Sequence, residues 1–145
     1  MKIKVPAFSA KNGFSTSERR SAIMKRIKST QTIPEKLLRK ELKNQEYKFS
    51  IYSKSLLGNP DIIFKKEKVV VFVDGEFWHG YNWKQKRERI KANRKYWIPK
   101  IERNIIRDKK VNKELKKQGW KVIRIWEHQL KKDLEKCVRR VTSHL

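Results

Sequence analysis

Gly58-Asn59-Pro60-Asp61-Ile62-Ile63-Phe64-Lys65-Lys66-Glu67-Lys68-Val69-Val70-Val71-Phe72-Val73-Asp74-Gly75 is the stretch that decides the fold. Residues 57–60 are turn formers, and Asp61 to Phe64 begins a strand. The charged run 65–68 reads as a hairpin loop. Val69 to Val73 is a continuous apolar run. A strand that faces water on one side alternates, so an unbroken run predicts a strand covered on both faces. The chain then leaves the sheet at residues 74–80.

Working outward, residues 120–126 alternate and predict a further strand, and residues 47–52 predict one before the hairpin. A helix is expected from about Ile98 to Gln118, with Ile101, Ile105 and Leu115 inside and Gly119 as its C-cap. Residues 130–141 predict a closing helix, and residues 15–28 an early one with Ile23, Met24 and Ile27 as its apolar positions. Thr32-Ile33-Pro34-Glu35 is a capping box that opens a second helix, buried through Leu37, Leu38 and Leu42 and ending near Asn44. The order is helices, three strands, helix, strand, helix. It predicts an α/β fold with a mixed central sheet and helices on both sides.

One domain fits a chain of 145 residues. Residues 1–14 read as a flexible basic arm and 15–145 as the single domain. Thirty-nine Lys and Arg oppose fifteen Asp and Glu, for a formal charge of +24. Such a surface seeks a polyanion, and nucleic acid is the usual one. No long apolar run or lipidation signal supports a membrane partner. The sole cysteine, Cys137, forms no internal disulfide and reads as a small buried hydrophobe. The N-terminus lacks an apolar segment of signal-peptide length, so an intracellular protein is expected.

Chemistry is expected where the hairpin ends. Asp61 opens one strand, and the paired strand runs out into Asp74, Glu76 and His79. Carboxylates gathered there can hold Mg²⁺, with water and phosphate completing its shell. By spacing alone, Asp61 serves equally well as a turn cap and Asp74-Gly75 as a plain loop start. His79 has a side chain whose ordinary pKa suits proton transfer near neutrality, although a lone histidine is more often a packing residue. Phe77 and Trp78, with Trp97, can stack on or wedge between bases, or form a core aromatic cluster. For Trp120 and Trp126, in an alternating strand, the core reading wins. Lys84, Lys86, Arg87 and Arg89 lie in a strongly basic stretch suited to phosphate contacts.

Several short motifs in order carry a resemblance. They are Arg20-Ser21-x-x-Met24; Thr32-x-Pro34-Glu35 with Leu37-Leu38-Arg39; Gly58 to Phe64; Val71-Phe72-Val73-Asp74-Gly75-x-Phe77-Trp78-His79-Gly80; Asn104-x-x-Arg107-Asp108; and Gly119-Trp120-x-Val122 with Trp126-Glu127. Together the chain resembles the very short patch repair (Vsr) DNA mismatch endonucleases, which have a restriction-endonuclease-like three-layer α/β/α fold.

The resemblance implies a magnesium-dependent enzyme that nicks one strand of double-stranded DNA beside a T:G mismatch. It implies a monomer, with mismatch-repair proteins as further partners. Asp61 would bind the metal, with the main-chain carbonyl of Val73 as second ligand. His79 would act as general base, and Glu35 would support the metal's waters, a role that competes with its place in the capping box. Phe77, Trp78 and Trp97 map onto an aromatic wedge, and Met24 onto a residue entering from the other groove.

Two departures stand out. Many members hold a structural zinc where this chain has Glu76, Tyr81, Trp83 and His128. One carboxylate, one imidazole and two aromatics cannot close a four-ligand site, so no structural zinc is expected and Trp83 packs in its place. Many members also have histidine where this chain has Asp74, which could add a metal or water ligand. Two rival readings are a restriction-type or mobile-element nuclease on the same scaffold, and a non-catalytic DNA-binding protein. The second accounts for the charge but not for the convergence of Asp61, Asp74 and His79.

Overall fold

The computed structural model describes residues 3–26 and 32–145, the side chains of 23–26 excepted. The hairpin is where the sequence put it. Strand β1 (Ile62–Phe64) pairs antiparallel with β2 (Val69–Asp74), with Ile62 opposite Val71. Strand β3 (Lys121–Trp126) lies parallel to β2, with Phe72 opposite Arg124 and Asp74 opposite Trp126. The sheet is therefore mixed, in the order β1-β2-β3.

Both faces are covered. Helix α2 (Ile33–Asn44) brings Leu38 and Leu42 onto one face. Helices α5 (Glu127–Lys132) and α6 (Leu134–Thr142) join it there through Leu130, Val138 and Val141, over Ile62, Phe64, Val69, Val71, Ile123 and Ile125. Helix α4 (Arg94–Lys117) covers the other face, packing Val111 and Leu115 on Ile63, Val70 and Phe72. Odd and even residues of β2 thus enter different cores, which is why the run 69–73 carries no polar alternation. Each fully buried aliphatic side chain contributes roughly 1.5–3 kcal/mol. Cys137 packs as a buried hydrophobe on α6. Helix α1 (Glu18–Arg26) and the short α3 (Trp83–Arg89) complete the set. No helix among the described residues is long and apolar enough to cross a membrane.

Four expectations are corrected. Residues 47–52 form no strand: Ser50 makes one isolated bridge to Ile63, and positive φ at Glu46 and Tyr52 turns the chain away on both sides. Helix α4 starts at Arg94, four residues before the expected Ile98, so Pro99 sits inside it and leaves the Lys95 carbonyl without its helical donor. The closing helix is two helices. Asp133 leaves the helical conformation and its carboxylate accepts from the Lys136 N–H at 3.0 Å, because an Asp side chain caps a helix better than it continues one. The arm does not hang free. From residue 3 onward it is docked by its apolar residues, with Phe14 buried and Phe8 edge-on to Tyr96 at 4.9 Å. The Asn93 side chain holds its end through both backbone groups of Ser15.

Candidate functional site

Asp61, Asp74 and His79 gather at the end of β2, whereas Glu76, expected with them, pairs with His128. Asp61, just before β1, turns its carboxylate onto the β2 backbone and accepts the Val73 N–H at 2.7 Å. In an antiparallel ladder the N–H and C=O of one residue leave the same strand edge, so the Val73 carbonyl faces the same side as Asp61. Burial pushes the Asp61 carboxyl up to about 7 from its ordinary 3.8. The Val73 N–H works against this, and the charges of Glu35 and Asp74 add to it. Asp61 has no ion pair among the described residues.

Glu35 is buried in the first turn of α2. Half of the capping box forms, with Thr32 Oγ1 accepting from the Glu35 N–H at 3.4 Å. The other half gives way, since the Glu35 carboxylate takes the Tyr52 hydroxyl and lies 3.8 Å from Arg39.

Asp74 ends β2 and is buried. Arg124, on the adjacent β3, places Nη1 3.0 Å from each Asp74 oxygen. Burial raises the Asp74 carboxyl, and Arg124 opposes that rise. Arg124 is itself fixed by Asn112 at 2.7 Å and by the face of Phe72.

His79 Nδ1 is 2.6 Å from Asp108 Oδ2 and 3.6 Å from Asp74 Oδ1. Burial disfavours its imidazolium, but the Asp108 bond and the charges of Asp74 and Asp108 outweigh this and hold its pKa above the usual value. Asp108 on α4 carries no role in the sequence reading beyond its place in a motif. One turn earlier, buried Asn104 donates to the Trp78 carbonyl at 3.0 Å. The two polar residues four apart on an otherwise packed helix face were the available signal: they grip the backbone and the imidazole of the same loop. Arg124 gave no comparable signal, because its partner lies 50 positions away.

Asp74, His79 and Asp108 each offer one ligand atom within 4.8 Å of the others, a set that could hold a metal ion. Arg124, within 3.7 Å of Asp108 as well, already supplies positive charge there. Asp61 lacks such a partner, and burial is the largest cause of its raised pKa.

Phe77, Trp78 and Trp97 come together although Trp97 belongs to α4. Phe77 and Trp97 centroids are 5.2 Å apart, and Trp78 and Trp97 5.6 Å. Phe77 is exposed and the two indoles are partly so. Lys84 and Arg89 project from α3, whereas Lys86 lies over the Tyr81 ring and Arg87 pairs with Glu102 at 3.1 Å. Met24 lies outside the residues whose side chains are described. Of the four positions expected to lack zinc, Glu76 and His128 pair at 2.8 Å with the Tyr81 ring tilted against His128, while Trp83 donates to Glu102.

Residues 13–85 match the family described as DNA mismatch endonuclease Vsr. The chain is 46% identical over 126 residues to the Type II nicking enzyme V.NmeDIP of Neisseria meningitidis serogroup C, covering 87% of this chain and 85% of that one. It is 43% identical over 122 residues to the Type II nicking enzyme V.HpaIIP of Haemophilus parainfluenzae, covering 83% and 86%. This chain belongs to the Vsr family. A third relative, the DNA mismatch endonuclease Vsr of Escherichia coli K12, is 33% identical over 113 residues, covering 77% of this chain and 71% of that one. The Vsr chain described here is thus a DNA endonuclease, and its three-layer α/β architecture is the restriction-endonuclease-like one that the resemblance implied.

Proposed function

We propose that this Vsr-family enzyme nicks one strand of duplex DNA beside a T:G mispair, in a hydrolysis that depends on magnesium. One observation carries the reading: the aromatic cluster and the hydrolytic groups share one loop. His79 directly follows Phe77 and Trp78, so rings able to part a base step stand next to the base that would activate water. Opening a step costs roughly a few kcal/mol, and least at a mispair, which has already lost part of its stability. The relatives' printed names, nicking enzymes, support cleavage of one strand.

Asp61 and the Val73 carbonyl are the groups that would hold magnesium, with Glu35 behind them orienting its waters. Bound there, the ion would supply Lewis-acid chemistry, lowering the pKa of water and stabilising the departing oxygen. Asp108 accepts a hydrogen bond from the His79 Nδ1–H and so leaves Nε2 as the nitrogen that accepts a proton from the attacking water. Asp74 holds Arg124 and adds negative charge beside His79, which makes it a positioning residue in this reading. Lys84, Lys86, Arg87 and Arg89 contact phosphate, with Arg87 also tying α3 to α4. The Glu76–His128 pair takes over the loop-tethering task, so no structural zinc is needed.

The test is single-turnover nicking of otherwise identical T:G and T:A duplexes, in magnesium and in chelator, for the wild type and Trp78→Ala. The wild type cuts T:G much faster and only with magnesium. Trp78→Ala loses most of the T:G preference while low-salt binding persists. Equal cutting of both duplexes by the wild type would favour a restriction-type nuclease on this fold instead.

A further inference from the structure

Helix α4 carries a polar stripe: Asn104, Asp108 and Asn112 follow one another at four-residue spacing, which stacks them on one helix face. Each grips a different part of the site. Asn104 donates to the Trp78 carbonyl at 3.0 Å, Asp108 lies 2.6 Å from His79 Nδ1, and the Asn112 side-chain oxygen accepts the Arg124 Nε–H at 2.7 Å. Arg124 reaches in from β3, and its guanidinium lies over the Phe72 ring, 4.1 Å from the centroid. These two contacts fix the guanidinium independently of any carboxylate. Its Nη1 then faces both Asp74 oxygens at 3.0 Å and stands 3.7 Å from Asp108 Oδ1. Asp108 Oδ2 is left for His79, whereas Asp74 Oδ1 is 3.6 Å from the same Nδ1, beyond a hydrogen bond. Without a cation the group would be ambiguous in two ways. Among the described residues, Asp74, His79 and Asp108 are the one group of three whose ligand atoms lie within 4.8 Å of one another, and an imidazole with two carboxylates suits zinc. Two carboxylates would also compete for one Nδ1–H.

We propose that Arg124 is a built-in cation that occupies Asp74, so that the Asp74–His79–Asp108 group takes no metal and the His79 Nδ1–H goes to Asp108 alone. Arg124 is then a positioning residue. It acts through the orientation of His79 and touches no reacting atom. A guanidinium suits this task where a metal ion does not. It is always charged, it only donates, and its planar fork can face a carboxylate while Nε is tied elsewhere. A metal would take the Nδ1 lone pair as a ligand and displace the proton that Asp108 accepts. Asp74 keeps its negative charge beside His79 but turns both oxygens to Arg124. The inference rests on His79 as the base proposed above, and adds what keeps its ring on one partner.

The experiment titrates zinc into the full chain without DNA or magnesium. It follows the ring nitrogens of isotope-labelled histidine by NMR, with the His79 signals assigned through His79→Gln. In the wild type about one equivalent of zinc should leave the His79 signals in place. Arg124→Gln removes the cation, and the same zinc should move its His79 signals. Adding Asp74→Asn to Arg124→Gln should abolish that capture. In single turnover with magnesium, Arg124→Gln should nick slower than wild type by about 10-fold or more. The added Asp74→Asn removes the freed acceptor and should quicken Arg124→Gln by about 5-fold or more, the coupling expected within a charge pair. An arginine that only packed, or only touched DNA, would show no such rescue. Arg124→Lys keeps a cation without the fork and should keep zinc off His79. Zinc capture by the wild type or by Arg124→Lys overturns the proposal even where Arg124→Gln is too unstable to read. So does an Arg124→Gln chain whose His79 ignores zinc, or one that Asp74→Asn fails to quicken. The zinc readout involves no DNA, so it holds or fails independently of the T:G over T:A ratio.

Discussion

Asp61 and His79 both titrate above their ordinary values, and each makes a prediction. Folding raises the Asp61 carboxyl from 3.8 to about 7, so between those values the folded chain binds more protons than the unfolded one. Its contribution to stability is complete below pH 3.8 and is lost as pH rises through about 7. In chelator at pH 8 the buried charge therefore costs roughly a few kcal/mol. Asp61→Asn removes that charge, while the amide oxygen can still accept from Val73. The variant should melt roughly 5–10 °C higher than wild type at pH 8 in chelator, with the gap narrowing by pH 5, yet show no nicking in magnesium. An equal or lower Tm at pH 8 would contradict the burial argument. His79 must be neutral to accept a proton, and its pKa is held up by Asp108, so nicking should rise with pH through that raised value. Asp108→Asn should shift this rise to lower pH and slow the single-turnover rate by at least about 10-fold. An unmoved pH profile would leave Asp108 a mere packing partner. Asp61 and His79 were both legible in the sequence, because a Pro-Asp turn and a histidine beyond a strand end are local signals. Asp108 was not, because what it touches lies 29 positions away.

Among the elements, the loop 75–82 depends on α4 more than on the sheet it leaves. Asn104 and Asp108 grip it from one helix face, and Gly80 lets it pass close to that helix. Gly80 has φ +71, and a Cβ there would collide with Ile105. Gly80→Ala should therefore cost about 2–3 kcal/mol by thermal unfolding and lower nicking more than it lowers DNA binding. Unchanged stability would mean that Ile105 has room to move. Strands and helix interiors were readable because apolar period and run length are local properties. Element ends were less so. The helix expected from about Ile98 starts at Arg94 and tolerates Pro99 well inside, held by burial of Ile101. The run 130–141 read as one helix, but Asp133 found a better use as a cap.

At the scale of the whole molecule, a formal +24 is carried largely on exposed Lys and Arg, while buried acids gather at one end of the sheet. The surface attracts any phosphate backbone, and the buried cluster alone is suited to cutting it. Binding to a matched duplex should weaken steeply with salt, log K falling against log salt with a slope of about −5 or steeper. Lys84→Gln and Arg89→Gln should each reduce that slope by about 1 without altering the T:G over T:A ratio. A flat salt dependence would mean that most of the charge lies off the DNA path.

The sequence alone determined the class of fold, the pairing of the hairpin strands and the polyanionic partner. Periodicity, turn residues and net charge act over a few neighbours or over the composition as a whole. It also carried the family, in motifs whose order survives between relatives. Only the tertiary structure decided which charges meet. Arg124 answers Asp74 across parallel strands, Asp108 answers His79 across a helix–loop contact, and Asp61 has no ion pair among the described residues. It also decided that Phe8 closes a cavity with Phe77 and Trp97, since a pairing of rings 69 and 89 positions apart obeys packing and not periodicity.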